Sequence, residues 1–354
     1  MQEVVITGPR QVALRTVDDD PMTPDSIRVR SLYSGISHGT EMSFYQATAP
    51  HFDHEIDEGL FRKRSDGTSF YPVRHGYEMV GEVIEVGSRV QGFEMGDIAW
   101  TGTTGHADTF VCDTTVDGRP FFCERAPVGA DPSTGIFLAL AGVAYDGHLT
   151  SRLRFGEAAV ISGLGVIGLM GVQLCRLAGM RPLIVVDPIA ARRDLAIALG
   201  ADHAIDPATT PVAEEVRRLN RGRGVDAVIE TSGSWAALNE AVRCCASGYG
   251  RVVALGFYQG AGTDLRLGEE FHHSSFYPMG ASSILAINHR SAPAPRCAWD
   301  RDRVHRNVAR MLGDGTLSTA GLLTHTFPLA EAAAAFDLVD RHPEEIIKVA
   351  LTYE

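Results

Sequence analysis

From Ala158 to Asp187 the chain reads AAVISGLGVIGLMGVQLCRLAGMRPLIVVD: an apolar strand-like run, a glycine-rich turn, a helix-like run and a second apolar strand. Few architectures accept that order. Ala158 to Ser162 reads as the first strand and Val166 to Leu177 as the helix, with Gly163, Leu164, Gly165, Val166, Ile167 and Gly168 making the turn. In such a unit the first glycine permits a tight turn, the second lets backbone approach a pyrophosphate, and the third lets helix pack closely on strand. The helix N-terminus then offers unpaired N–H groups and partial positive charge to the anion. Asp187 ends the second strand 19 positions after Gly168, where a carboxylate accepts hydrogen bonds from ribose hydroxyls and repels a 2′-phosphate. The pattern predicts a dinucleotide site that takes NAD in preference to NADP. Arg192 and Arg193 follow closely; either is able to bind the extra phosphate, or both belong to a solvated helix face.

The same strand, turn and helix rhythm recurs from Gly156 to about residue 284, which is the pattern of a parallel α/β sheet. VDAVIETSG (225–233) ends in Thr231, Ser232 and Gly233, and GRVVALGF (250–257) ends in Gly256 and Phe257. Ligands of open parallel sheets lie beyond the carboxyl ends of the strands, so these endings are candidates for ribose and nicotinamide contacts, or plain turns. Ahead of this region, SIRVRSLYSG, EMVGEVIEVGSRV and GDIAW are short β-like runs separated by glycine turns. The expected division is 1–140 with 290–354 as one domain and 141–289 as the other, the strand-like IIKVALTY returning to the first. Residues 46–71 form a long, charged excursion able to cover a cleft.

Composition excludes several classes. The net charge of −12 and the scattered basic residues argue against nucleic acid as a partner. No apolar run approaches the roughly 20 residues of a membrane span, and the N-terminus carries no secretory signature, so no membrane partner and a cytoplasmic location are expected. The six cysteines include no CxxC pair, and reduced, buried thiols are expected. His51-Phe52-Asp53-His54-Glu55 lacks the spacing of a zinc-binding helix and reads as solvated loop. His272-His273 and the run bearing His289, Arg290, Arg296 and Trp299 read either as substrate contacts or as surface.

SGISHGTE (34–41), HGYEMVGEVIEVG (75–87), Asp97, the glycine turn, ALGADHAID (198–206), VDAVIETSG and IIKVAL follow one another in an order that resembles the medium-chain dehydrogenase/reductase superfamily over nearly the whole chain. The resemblance implies an α/β protein: a GroES-like β-rich catalytic domain plus a Rossmann doubly wound parallel-sheet domain. It also implies a homodimer and hydride transfer to or from a small-molecule substrate in a cleft between the domains. Zinc members of the family carry a cysteine, a histidine and a third cysteine or acidic ligand in the places that here read SGISHGTE, HGYE and FLALAGVAY. Ser37 or His38 stands at the first place, Tyr77 at the second and Leu140 at the third. Zinc needs three protein donors and an open position, so no metal is expected.

Without a Lewis acid, the proton passes through side chains. Tyr77 and His38, with Glu78 beside them and Ser37 and Thr40 as hydroxyl relays, are the candidate catalytic residues. The other reading of Tyr77 is a filler of the vacated metal cavity, and of His38 a satisfied turn histidine. SGISHGTE and HGYE resemble the zinc-poor branch that includes bacteriochlorophyllide hydroxyethyl dehydrogenase-like proteins. The leading expectation is interconversion of a secondary alcohol and a ketone on a polyol, cyclitol, sugar, nucleoside or biosynthetic intermediate. The alternatives are a zinc-free enone or quinone reductase and a non-catalytic NAD-binding protein.

Overall fold

The computed structural model describes residues 1–64, 70–102, 105–116, 119–120, 123–246, 248–274, 280–286 and 299–354. Its contacts divide the chain into two compact units, Met1–Ala139 with His305–Glu354, and Leu140–Val304.

The first unit is built on a seven-stranded sheet. Cys123–Arg125, Ile98–Thr101, Met79–Val86, Ser26–Ile36, Lys348–Thr352 and Leu323–Pro328 lie side by side in that order, and Thr109–Asp113 also pairs with Ser26–Ile36. The three runs expected to be strands are strands, and the terminal one pairs antiparallel with Ser26–Ile36, Val349 opposite Ile36. Two apolar clusters fill this unit. One gathers Val4, Ile6, Ile36, Phe336 and Leu351, the other Ile27, Val29, Met79 and Phe110. The excursion from Gln46 contains a short turn, Pro50–Phe52, and a hairpin of His54–Asp57 with Leu60–Lys63. Aromatic contacts hold it: Phe44 stacks on Phe70 with ring centres 5.7 Å apart, and Phe52 meets Tyr71 at 5.0 Å. The His51 ring sits 5.6 Å from Phe61 and 5.7 Å from Phe44.

The second unit carries a six-stranded sheet, every neighbouring pair parallel. Its order is His203–Ile205, Leu183–Val186, Ala159–Ser162, Ala227–Glu230, Arg251–Ala254, Ser283–Leu285, so the first strand in sequence lies inside the sheet and the direction of winding reverses beside it. That reversal opens a crevice at the carboxyl ends of Ala159–Ser162 and Ala227–Glu230, where open α/β sheets bind ligands. All four residues of Ala159–Ser162, of Leu183–Val186 and of Ala227–Glu230 are buried, as a sheet covered on both faces requires.

The units divide at 304/305, whereas the sequence suggested a return at 290. Residues 287–298, with His289, Arg290, Arg296 and Cys297, lie outside the described residues. Helix Arg301–Gly313 ends where Gly313 meets Pro127 so closely that an added Cβ would lie 2.3 Å from the proline ring. The other five cysteines are free and buried. Among the described residues, no helix is long and apolar enough to cross a membrane.

The tightest approach in the second unit is that of helix Val166–Leu177 to the turn before it. A Cβ on Gly168 would stand 1.9 Å from the Gly163 carbonyl oxygen. Gly168→Ala therefore forces backbone to move, and we expect a loss of about 1–3 kcal/mol, typical of overpacking. Urea unfolding reads it; an unchanged midpoint would remove this contact as the reason for the third glycine.

Candidate functional site

In the second unit the glycine turn is fixed from three sides. Gly163 has φ +86°, the left-handed region, and its backbone lies so near the next strand that a Cβ would meet Ser232 N at 2.7 Å. Thr231 Oγ1 donates to the Gly163 carbonyl at 2.8 Å. Gly165 differs: a Cβ there would meet nothing within 4 Å, so the backbone faces open space at the helix N-terminus. Leu164 and Val166 are buried, Ile167 half-buried.

Asp187 is buried, and its carboxylate accepts from Leu164 N at 2.7 Å and from Ile189 N at 2.8 Å. Each oxygen keeps a second lone-pair direction. The aspartate is thus oriented by the glycine turn itself, and with Ser162, Gly163, Thr210, Ser232 and Glu240 it lines a cavity of about 560 Å³. Arg193 donates to the Asp187 carbonyl at 2.7 Å and pairs with Asp206 at 3.1 Å. Arg192 is half-buried on the same helix, Ala190–Ala198.

Glu230, which the sequence reading passed over, knits the strand endings together. It is fully buried, accepts from Ser232 N at 2.8 Å and takes hydroxyl bonds from Ser232 and Tyr258. Its backbone carbonyl accepts from Gly256 N at 3.0 Å. Phe257, beside it, is exposed. The signal was an acidic residue closing an apolar strand, AVIE.

In the first unit, strand Ser26–Ile36 and strand Met79–Val86 run antiparallel, Ser34 opposite Met79. The chain leaving the first at Ile36 and the chain entering the second at Tyr77 therefore meet at one sheet end. The Ser37 hydroxyl is hydrogen-bonded to the Tyr77 hydroxyl, and Thr40 reaches the same phenol. Burial, and next the charge of Glu78, push the Tyr77 phenol well above its ordinary range, so it stays protonated at any working pH. His38 is half-buried within the same turn. Ser37, Thr40 and Tyr77 are thus brought together.

Two carboxylates lie buried behind them. Glu78 forms an ion pair with Lys348, whose Nζ also donates to the Ile36 carbonyl at 2.8 Å. Lys348 on the last strand is its main counter-charge, with a smaller contribution from His106, so Glu78 is a buried, fixed partner behind Tyr77 and not an exposed base. Gly35 makes room for the pair: a Cβ there would stand 2.4 Å from Glu78 Oε2 and 2.6 Å from Lys348 Cε. Glu41 accepts from Ser37 N at 2.5 Å and from His106 Nε2 at 2.7 Å. His106 Nδ1 continues to Ser34 Oγ at 2.7 Å, and Ser34 Oγ to Tyr353 OH at 2.7 Å. Burial would raise Glu41, but His106 first, then His75 and the Ser37 amide, hold it below its ordinary value.

Glu41, His106 and Lys348 were not among the expected site residues. Lys348 left a trace, a lone lysine in the apolar run IIKVAL. Glu41 stood within SGISHGTE; His106 left no local signal. Of the histidines that the sequence left open, His273 Nδ1 is hydrogen-bonded to the Glu269 carbonyl at 3.0 Å and its ring packs on His272, while His289 lies outside the described residues. Among the described residues the one cluster with metal-ligand spacing is His342, Glu344 and Glu345, all exposed.

Comparison with known proteins gives matches to two domain families, the alcohol dehydrogenase GroES-like domain over residues 24–159 and the zinc-binding dehydrogenase domain over residues 166–278. D-guloside 3-dehydrogenase of Escherichia coli (strain K12) is 29% identical over 361 residues, covering 100% of both chains. L-threonine 3-dehydrogenase of Pyrococcus abyssi is 28% identical over 277 residues, 71% of this chain and 74% of its own. A dehydrogenase from Sinorhizobium meliloti 1021, solved with NADP bound, superposes with a TM-score of 0.78 at 21% identity, covering 99% of this chain and 98% of that one.

The carboxylate behind Tyr77 yields a pH prediction. Burial, opposed by Lys348, leaves Glu78 raised to about 7 from an ordinary 4.5. The folded chain then binds this proton more tightly than the unfolded chain, so its contribution to stability is full below about pH 4.5 and is lost as pH rises through about 7. Glu78→Gln should match the unaltered protein near the acid end of that window and become the more stable of the two at its upper end. Urea midpoints across the window test this; a constant offset between the two proteins would refute it.

Proposed function

From its membership of the medium-chain dehydrogenase/reductase superfamily, we propose that this chain interconverts a secondary alcohol and a ketone on a sugar- or polyol-like molecule, using NAD(H) and no zinc. The observation that carries the reading is the Ser37–Tyr77–Thr40 hydroxyl set, gathered at the sheet end where the family resemblance puts the metal. Two relatives named for dehydrogenation at a position 3, of a D-guloside and of L-threonine, support a secondary hydroxyl as the reacting group. A homodimer in the cytoplasm belongs to the same reading, on the resemblance alone.

The cofactor fits the second unit. Gly165 leaves the backbone open at a helix N-terminus, and Asp187 is held at the cavity wall with lone pairs to spare. Gly163 to Gly168 would hold the pyrophosphate, Asp187 the adenosine ribose, and Thr231, Ser232 and Gly256 the rest of the dinucleotide. When bound, it supplies a hydride acceptor or donor. Arg193, already engaged with Asp206 and the Asp187 carbonyl, is not free to take a 2′-phosphate.

Zinc does not fit the residues present. The places that would hold it offer a serine hydroxyl bound to a phenol, a phenol kept neutral by burial, and the hydrocarbon of Leu140. The chain's own groups do the proton chemistry. In ketone reduction Tyr77 donates its hydrogen bond to the carbonyl oxygen, which polarises the bond, and passes its proton as charge develops. Ser37 and Thr40 hold the phenol in place, and a solvent proton taken up at the exposed Thr40 hydroxyl as it gives up its own returns the phenol to its neutral form. In alcohol oxidation the same hydroxyls carry the proton away.

NADH should bind more tightly than NADPH, and Asp187→Ala should narrow the gap by removing both ribose acceptors and repulsion of the 2′-phosphate. Titration with each cofactor decides it; an NADPH preference in the unaltered protein overturns the assignment. Tyr77→Phe should lower kcat by about 10²- to 10⁴-fold, the usual contribution of a positioned acid, with NADH affinity unchanged. The unaltered protein should keep its kcat in chelator and hold less than one zinc per chain by elemental analysis. A tightly held zinc whose removal abolishes activity and whose return restores it would overturn the metal-free reading, and a near-normal kcat in Tyr77→Phe would overturn the assignment of the proton.

A further inference from the structure

His106 is 1% exposed, lies 65 residues from Glu41 in sequence, and yet donates or accepts at both ring nitrogens. Its backbone is fixed independently of its ring. The His106 carbonyl accepts from Val4 N at 2.8 Å, and the Ala107 carbonyl accepts from Ser31 Oγ at 2.5 Å, so the N-terminal strand and the central strand clamp this segment. The ring edge rests against Phe336, centres 6.0 Å apart. A ring so held is a rigid post.

What leans on that post is Glu41. One carboxylate oxygen meets His106 Nε2; the other accepts the backbone N–H of Ser37, four residues earlier. The bond closes the turn 37–41, and that turn presents Ser37 Oγ and Thr40 to the Tyr77 hydroxyl. The helix after the turn, Thr40–Tyr45, has only six residues and no side-chain cap at its start, so it cannot fix the turn by itself. Deprived of His106, the buried Glu41 keeps only the more distant His75, 4.0 Å from Oε1, and would have to turn toward it or take up a proton. Either response releases Ser37 N.

We infer that His106 is a positioning residue for the reaction: through Glu41 it fixes the Ser37–Thr40 turn and with it the orientation of the Tyr77 phenol. The inference rests on the reading of Tyr77 as the proton-bearing group, but its geometry is measurable without turnover. A shift of about an ångström in a catalytic group costs up to about a hundredfold in rate, while bound substrate and cofactor need not sense it.

The test uses the full chain with three substitutions. His106→Phe fills the volume beside Phe336 and removes both ring bonds. His106→Gln keeps a donor for Glu41, and Ser34→Ala removes the far bond of the ring together with the Ser34–Tyr353 hydroxyl bond while leaving the His106–Glu41 bond in place. We expect His106→Phe to lower kcat by about tenfold to a hundredfold, with substrate KM and NADH affinity within about twofold, and His106→Gln to recover most of that loss. The ¹³Cζ resonance of Tyr77, assigned by its disappearance in Tyr77→Phe, should move in His106→Phe and return toward its original position in His106→Gln. Should His106→Phe fail to fold, Ser34→Ala carries the test, with a smaller fall in kcat and a smaller shift of the same resonance in the same direction. An unmoved Tyr77 resonance in the folded variants overturns the inference, as do equal losses in His106→Phe and His106→Gln. A moved resonance with normal kcat in Tyr77→Phe instead leaves the positioning intact and overturns the reading of Tyr77.

Discussion

Two carboxylates taken out of water at one end of a β-sheet set the terms for the first unit. Glu41 and Glu78 are both fully buried, and a charge so placed persists only if a partner and hydrogen bonds replace its hydration. The partners come from distant parts of the chain. Lys348 arrives on the last strand, which must lie beside Ser26–Ile36 for its Nζ to reach both Glu78 and the Ile36 carbonyl. His106 arrives on a segment clamped to the N-terminal strand. The return of the C-terminus and the placing of the 105–108 segment are therefore more than closure of a sheet: they bring the cation and the imidazole without which the 37–41 turn and the Tyr77 strand end would be expensive to fold. Such pairs add little net stability over an apolar core, so their presence points to a demand for specific geometry at this sheet end.

In the second unit the corresponding constraint is steric. Gly163 and Gly168 are so close that no side chain fits between turn and helix, and Thr231 and Ser232 press on the turn from the neighbouring strand. This packing brings Asp187 to Leu164 N, which makes the acidic residue part of the turn. Glu230 does the same for the other side of the crevice by gathering Ser232, Gly233 and Tyr258. The backbone around the crevice is thus fixed by side chains behind it, and for the dinucleotide proposed to bind there such a preformed arrangement lowers the ordering cost.

Much of this was legible in the sequence, and what was not has a common cause. The strand, glycine turn and helix from Ala158 to Asp187 is local, and all its constraints lie within one βαβ unit, so it could be read residue by residue. Ser37, Thr40 and Tyr77 were legible because two short motifs mark the ends of two paired strands. Glu41, His106 and Lys348 were not, because what holds each buried is a partner 65 or more residues away, and sequence gives no distance between them. Lys348 could have been suspected as a lysine in an otherwise apolar strand, and Glu230 as a glutamate in another. The segment before helix Arg301–Gly313 lacks periodicity in the sequence, so the contacts that put the division of the units at 304/305 left no local mark there.

The chemistry proposed for Tyr77 has a physical consequence for how it can act. A general base works best with a pKa near the operating pH, and this phenol is pushed well above its ordinary range by burial and by Glu78 behind it. It is therefore a poor free base and a good neutral donor. In the reduction direction that suits it: a proton held firmly on the phenol donates a strong hydrogen bond to a carbonyl oxygen and transfers only as the alkoxide forms. In the oxidation direction the phenol must receive one proton while releasing another, which demands an acceptor on its far side. Ser37, whose amide N–H Glu41 holds, is hydrogen-bonded to that phenol. The relay and the post that steadies it thus belong to the same problem. A metal solves it by lowering the pKa of what it binds; a buried phenol, whose pKa moves the other way, needs neighbouring hydroxyls in fixed register.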